Sequence, residues 1–297
     1  MFMGRGRYAG FVARDLAWRI AVQAGQTRPL IAAAQRRLAV DERGWLFVLG
    51  VNNSGTTLLS EILGRHDEVR TMPSEGHHLT NGLPRPGDHS VIRNWTARPE
   101  VFRRTDIDHA TAEKILYDWS FFFEPGRGYL LEKSPPNTIR ALWMQEHFQP
   151  ATFVGLARHP YAVCEGIMRK SGLSLVTAAK HWRAAYSWLL EDWPRLRHAT
   201  FVRYEELCHD PWAVLSKVHE FLALTEAGGV AGARYRIHGV DSEIRNMNGV
   251  SMARLSDDEL RLIDEVAGET MARLGYRTLG SGAREREWDA MPAGGPA

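Results

Sequence analysis

Cysteine is nearly absent: Cys164 and Cys208 are the only two in 297 residues. Neither has partners at metal-ligand spacing, so reduced thiols in a cytosol-like compartment are expected. No apolar run approaches the roughly 20 residues that span a bilayer, and the N-terminus lacks the h-region and cleavage site of a signal peptide. Formal net charge is only +2, too little for nucleic acid to be the main partner. No acidic cluster with metal-binding spacing appears, so no resident metal is expected. What remains, 44% hydrophobic and 24% charged, suits a soluble enzyme with one large core.

A further absence is local and more telling. Trp45-Leu46-Phe47-Val48-Leu49 reads as a buried strand, Gly50 to Gly55 as a tight loop, and Thr56-Thr57-Leu58-Leu59 as a helix start. Such a unit aims backbone N–H groups and a helix N-terminus at one spot, which favours an anion. The spacing is Gly-x-x-x-x-Gly, but Thr56 stands where a nucleotide triphosphatase carries the lysine that reaches the β- and γ-phosphates. The loop therefore fits an anion other than a triphosphate.

The same alternation continues along the chain. Short strands are expected at 68–72, 129–133, 151–157 and 200–204. Helices are expected at 137–147, 160–170, 174–193, 211–223 and 256–273. Strands separated by helices predict an α/β, P-loop-type three-layer fold, a central parallel sheet flanked by helices. Ligands in such sheets bind at the carboxyl ends of the strands, where Asn52, Lys133, Arg158 and Tyr204 fall. Arg158 ends the apolar run 153–157 just before Pro160, a helix-start residue, and suits bidentate phosphate binding.

Residues 1–43 form a basic, loosely amphipathic segment in which arginines alternate with Tyr8, Phe11, Val12, Leu16 and Ile20. It either packs on the catalytic domain, the preferred reading, or makes peripheral contact with an anionic membrane. The domain itself spans 44–279. Within it, 73–125 carries little periodicity and reads as a lid or acceptor-site insertion. The Gly-rich tail 280–297 reads as disordered. Trp182, Tyr186, Trp188 and Trp193 read as core. His77 and His78, being adjacent, are not expected to converge on one metal ion.

The loop Ser54-Gly55-Thr56-Thr57-Leu58-Leu59 together with Arg158 resembles the donor site of sulfotransferases that use 3′-phosphoadenosine 5′-phosphosulfate (PAPS). The likeness covers roughly residues 44–275 and is closest to tyrosylprotein sulfotransferases and their bacterial relatives. It implies that Asn52, Asn53, Ser54, Gly55, Thr56 and Thr57 hold the phosphosulfate. It further implies that Arg158 and the residue at the position of Gly166 meet the 3′-phosphate. Glu75 in Met72-Pro73-Ser74-Glu75-Gly76-His77-His78 matches the family's catalytic base, and Lys133 in Leu131-Glu132-Lys133-Ser134-Pro135 its phosphosulfate lysine. Tyr204 in Arg203-Tyr204-Glu205-Glu206-Leu207 would lie near the nucleotide, and Arg254 would meet its phosphate.

Two positions depart from the pattern. Asn53 stands where the family often has Arg or Lys, and Gly166 where it usually has Ser. The first removes a cation and the second a hydroxyl, with Arg169 and Lys170 nearby as compensating charges. The implied activity is transfer of a sulfuryl group from PAPS to an acceptor hydroxyl or amine, releasing adenosine 3′,5′-bisphosphate. The acceptor is open among peptide, sugar, lipid and small molecule. A catalytically inactive nucleotide binder and a P-loop kinase are the alternatives. Intrinsic pKa favours His77 or His78 as base, whereas position favours Glu75, with the histidines as acceptor contacts.

Overall fold

The computed structural model describes residues 5–103, 109–225, 235–237 and 240–278. The 280–297 tail lies outside the described residues. Five strands, β1 (Trp45–Leu49), β2 (Val69–Thr71), β3 (Tyr129–Glu132), β4 (Ala151–Ala157) and β5 (Ala199–Arg203), form one sheet in the order β2-β3-β1-β4-β5. All four pairings are parallel, so every carboxyl end faces the same edge. β1 is central and buried on both faces, which explains its unbroken apolar run.

Side chains alternate between two cores with the period of two that a strand dictates. Leu46, Val48, Val154 and Leu156 pack with α3 (Thr56–Leu63) and α10 (Pro211–Phe221). Trp45, Phe47, Leu49 and Phe153 face the opposite layer. That layer is built from α6 (Ala141–His147), α7 (Pro160–Ser171), α8 (Leu175–Asp192) and α12 (Asp257–Arg273). The three-layer α/β architecture expected from the sequence is thus the one formed. Trp182 and Tyr186 are fully buried in the second core, as is Cys164, whose thiol burial holds in its protonated form.

The segment 73–125 contributes α4 (Pro99–Phe102), α5 (His109–Trp119) and three 3₁₀ turns. It buries Leu79, Leu83, Trp95, Phe102 and Trp119 in the main core. N-terminal to the sheet, α1 (Arg5–Gln23) and α2 (Arg28–Leu38) pack against α5 through Trp18 and Ala34. Short helices α9 (Tyr204–His209) and α11 (Asn248–Met252) follow β5 and a hairpin of β6 (Tyr235–Ile237) and β7 (Val240–Ser242).

Two local departures from expectation have clear causes. The helix expected from Asn137 begins instead as a 3₁₀ turn, Pro135–Ile139, before α6. Side-chain bonds hold that turn: Thr138 Oγ1 accepts from Gly50 N at 2.8 Å, and Asn137 Oδ1 accepts from Arg140 Nε at 2.7 Å. The hairpin was not anticipated, although the apolar–polar alternation of Tyr235-Arg236-Ile237 carries its signal.

Burial also sets an acid limit on the fold. His77 is pushed down to about 2, and His159 and His181 to about 3, in each case chiefly by burial. An unfolded imidazole titrates near about 6.5, so below that pH the unfolded chain binds protons that the folded chain refuses. The contribution of these histidines is complete above that pH and falls by about 1.4 kcal/mol per unit for each on acidification. Glu132, Asp118 and Asp192, raised by burial, act with opposite sign and offset part of the loss. Denaturant midpoints should therefore fall from about pH 6.5 to pH 5, with a net uptake of protons on unfolding that reaches at most about three, less what the carboxylates release. A flat profile across that range would contradict the neutral assignment.

Candidate active site

The loop after β1 owes its shape to backbone that few residues adopt. Gly55 has φ +101°, and a Cβ there would stand 2.7 Å from Tyr204 Cδ2. Asn53 takes φ +67°, a conformation asparagine tolerates better than most residues. Ser54 is fully buried and turned away from the opening; its Oγ donates to Val51 O at 2.5 Å. Its side chain shapes the loop from behind, while Asn52, Asn53, Gly55, Thr56 and Thr57 line a cavity of about 670 Å³.

Arg158, at the end of β4, enters the cavity from the next strand and is held on three sides. Its Nε donates to Asn248 Oδ1 at 2.7 Å, its Nη1 to Asn53 O at 3.0 Å, and its guanidinium lies 4.2 Å from the centre of the Tyr204 ring. Asn248 is oriented in turn by donating to Glu205 Oε1 at 2.6 Å. Tyr204 is fixed by its hydroxyl, which donates to Arg245 O at 2.8 Å and accepts from Met247 N. A pre-oriented guanidinium of this kind loses little freedom on gripping an anion.

At the other side of the loop, Lys133 Nζ donates to Glu75 Oε1 at 2.7 Å and to Thr57 Oγ1 at 3.3 Å. Lys133 comes from the end of β3 and Glu75 from the turn after β2, so adjacent strands deliver both. Glu132, the last residue of β3, is buried and holds the Glu75 turn in place. Its Oε1 accepts from Gly76 N at 2.8 Å, and Trp119 Nε1 donates to Gly76 O at 3.0 Å. Any Cβ at position 76 would stand 2.6 Å from the Trp119 ring and 2.7 Å from Glu132. Sequence reading singled out Lys133 and passed over its neighbour Glu132.

His77 is buried beside Glu75, with Nε2 3.6 Å from Glu75 Oε2 and its ring 4.0 Å from that of His78. Burial, then the nearby charges of His78, Arg140, Lys133 and Arg85, keep it neutral. Glu75, His77 and His78 do bring one ligand atom each within 4.8 Å of one another, contrary to the expectation from their adjacency. The Lys133 ammonium on Glu75 and the Arg85 and Arg140 guanidinium groups oppose a cation at that point.

The cavity thus collects Glu75, Lys133, Arg158, Gly166, Arg169, Tyr204 and Arg254 around the loop. It also draws in Arg93, Trp95 and Lys170. Trp95 Nε1 donates to Asn52 Oδ1 at 3.0 Å. Arg93 has φ +58°, and its buried Nε has no hydrogen-bond partner. It lies in the aperiodic 73–125 segment, where nothing in the sequence marks one arginine above another.

Comparison with known families decides what this arrangement belongs to. Residues 46–227 match the model described as "Sulfotransferase family". The chain belongs to the sulfotransferase family. No curated protein sequence matches it. Among solved structures, sulfotransferase STF9 from Mycobacterium avium is similar at 14% identity with a TM-score of 0.54, covering 86% of this chain and 84% of that one. The sulfotransferase domain from the curacin biosynthetic pathway follows at 19% identity and TM-score 0.48, covering 79% and 98%. Mouse sulfotransferase SULT7A1, complexed with PAP, follows at 12% and 0.46, covering 82% and 89%. At these identities the likeness bears on the fold alone, and it rests on the first.

In this sulfotransferase the two departures, Asn53 and Gly166, lie against one another. A Cβ on residue 166 would stand 3.3 Å from Asn53 Cγ and Nδ2, so the asparagine occupies space a larger residue would need. Asn53 Oδ1 accepts from Lys170 Nζ at 2.9 Å, which brings a lysine to the loop that lacks one of its own. Burial, then Arg93, Arg169 and Arg158, lowers the Lys170 pKa. Arg169 Nε and Arg254 Nη1 both donate to the buried carboxylate Glu165 Oε1, at 2.7 and 3.3 Å, which fixes two more cations at the rim. Such crowding of like charge is relieved by an anion. The buried Asn53 Nδ2 has no hydrogen-bond partner and adds a free donor beside the loop.

Proposed function

We propose that the protein transfers a sulfuryl group from PAPS to an acceptor hydroxyl or amine and releases adenosine 3′,5′-bisphosphate. The observation that carries this reading is the division of the cavity. Arg158, Lys170, Arg169 and Arg254 crowd one side of the loop, and the Glu75–Lys133 pair stands at the other. The residues fit the donor: several cations, an unpartnered Asn53 Nδ2 and a loop that lacks the triphosphate lysine. PAPS, when bound, supplies the sulfuryl group and a phosphate leaving group.

The chain's own residues do the rest by position and charge. Glu75 accepts the proton that an attacking hydroxyl loses. Lys133 offers its ammonium to charge that develops on the leaving oxygen, and Thr57 holds that lysine toward the loop. Arg158 and Lys170 grip the nucleotide phosphates, with Tyr204 as the aromatic plate behind Arg158. The similarity of Met72-Pro73-Ser74-Glu75 and Leu131-Glu132-Lys133 to the tyrosylprotein enzymes supports these two roles. No observation favours a kinase, since the β4 end carries Arg158 where a metal-binding acid would be required. Lys170 at Asn53 weakens the case for an inactive binder.

Calorimetry tests the donor reading. Adenosine 3′,5′-bisphosphate should bind more tightly than ATP. Arg158→Ala should weaken it about 10- to 150-fold, from the roughly 1.5–3 kcal/mol of a charge-assisted pair. Asn248→Ala, which frees the Arg158 side chain, should weaken it about three- to tenfold through higher mobility. Equal affinity for ATP, unaffected by Arg158→Ala, would remove the 3′-phosphate assignment.

A further inference from the structure

Nine large hydrophobic side chains stand exposed among the described residues, and four of them fall on α1: Val12 at 48%, Leu16 at 58%, Ile20 at 57% and Val22 at 52%. Val12, Leu16 and Ile20 recur every four residues, so they form one stripe along the helix. An aliphatic stripe of that extent facing water is costly unless something covers it.

Among the described residues the catalytic domain is not the cover, because it holds the other side of α1. Trp18 is buried against Tyr117 with ring centres 5.3 Å apart. The Arg14 guanidinium lies 4.7 Å from the Phe121 ring centre. Asp15 pairs with Lys114 at 3.3 Å and accepts from Asn81 Nδ2 at 3.3 Å. These contacts fix the rotation of the helix and hold the stripe outward.

Charge selects the occupant. Residues 5–38 hold seven arginines against one acid, Asp15, whose charge is met by Lys114 and Arg19. Arg19 on α1 and Arg28 and Arg36 on α2 are exposed. A second copy of the chain would bring two such segments together in mutual repulsion. An anionic bilayer satisfies both features: aliphatic side chains enter the interface and arginines meet phosphate headgroups. No helix among the described residues is long and apolar enough to cross a membrane, so the contact lies along the surface.

We propose that α1 is a peripheral docking helix for an anionic phospholipid surface, seated through Val12, Leu16 and Ile20. The Asp15–Asn81 contact ties it to the segment that follows the Gly76–His78 turn, so docking places the membrane contact a few residues from Glu75, His77 and His78 in the chain.

Sedimentation of the full chain with vesicles tests this. Mixed phosphatidylcholine–phosphatidylglycerol vesicles should carry the protein down at least tenfold more efficiently than phosphatidylcholine alone. Raising salt from about 0.1 to 0.5 M should weaken the association several-fold. Leu16→Ser combined with Ile20→Ser should abolish it while leaving the melting temperature and binding of adenosine 3′,5′-bisphosphate unchanged. Separately, Leu16→Cys carrying an environment-sensitive dye should brighten on the mixed vesicles. Equal sedimentation of wild type and the double variant, no sedimentation at all, or an unchanged dye signal would overturn the proposal. So would light scattering that finds a dimer which the double variant dissolves.

Discussion

Replacing Glu75 by Gln should lower turnover by about 10²–10⁴ while leaving affinity for adenosine 3′,5′-bisphosphate nearly unchanged. The amide keeps the shape and can still sit beside Lys133, but it cannot take a proton. Neither histidine nearby is a ready substitute. His77 is neutral with its pKa pushed down to about 2, chiefly by burial and then by surrounding positive charge. His78 is lowered by burial, with Arg85 and Lys133 adding to the effect against the attraction of Glu75. An imidazole as reluctant as that of His77 to bind a proton is a poor base near neutral pH. His77→Asn should accordingly retain most of its turnover if the fold is intact, because its imidazole is closed off from solvent. Near-normal turnover in Glu75→Gln, with collapse in His78→Asn, would transfer the role to His78.

The second large effect belongs to Lys133. Lys133→Ala should lower turnover by about 10²–10³, the range for losing one donor aimed at developing charge. Product affinity should fall far less, since the interaction strengthens as the leaving oxygen gains charge. The partners seen here predict a refinement. Lys133 is bonded to Glu75 and Thr57 together, so Thr57→Val should reproduce a smaller part of the same loss by freeing the ammonium. A Lys133→Ala effect confined to nucleotide binding would instead make the lysine a ground-state contact.

The fold was legible because its cause is local and repeated. Trp45–Leu49 is apolar without interruption since the central parallel strand is covered on both faces. Gly50 and Gly55 stand where the turn demands positive φ or close approach. Arg158 was visible as a charge ending an apolar strand. What stayed hidden depends on contacts between distant residues. Asn248 meets Arg158 across 90 positions, and no local pattern in the sequence pairs the two. Arg93 reaches the cavity from a segment whose turns follow from packing around Trp95 and Trp119, not from periodicity. Asn53 and Gly166 read as two independent losses in the sequence. In space they form one arrangement, the asparagine filling the gap at the glycine and presenting itself to Lys170.

The most direct measurement is a paired transfer assay on the wild-type protein, with radiosulfur-labelled PAPS in one arm and γ-phosphorus-labelled ATP in the other, against the same panel of hydroxyl acceptors. The proposed sulfuryl transfer predicts label transfer from PAPS, formation of adenosine 3′,5′-bisphosphate in equal amount, and loss of both in Glu75→Gln. Transfer from ATP, or tight binding of the bisphosphate with no acceptor labelled across peptide, sugar, lipid and phenolic compounds, would contradict it.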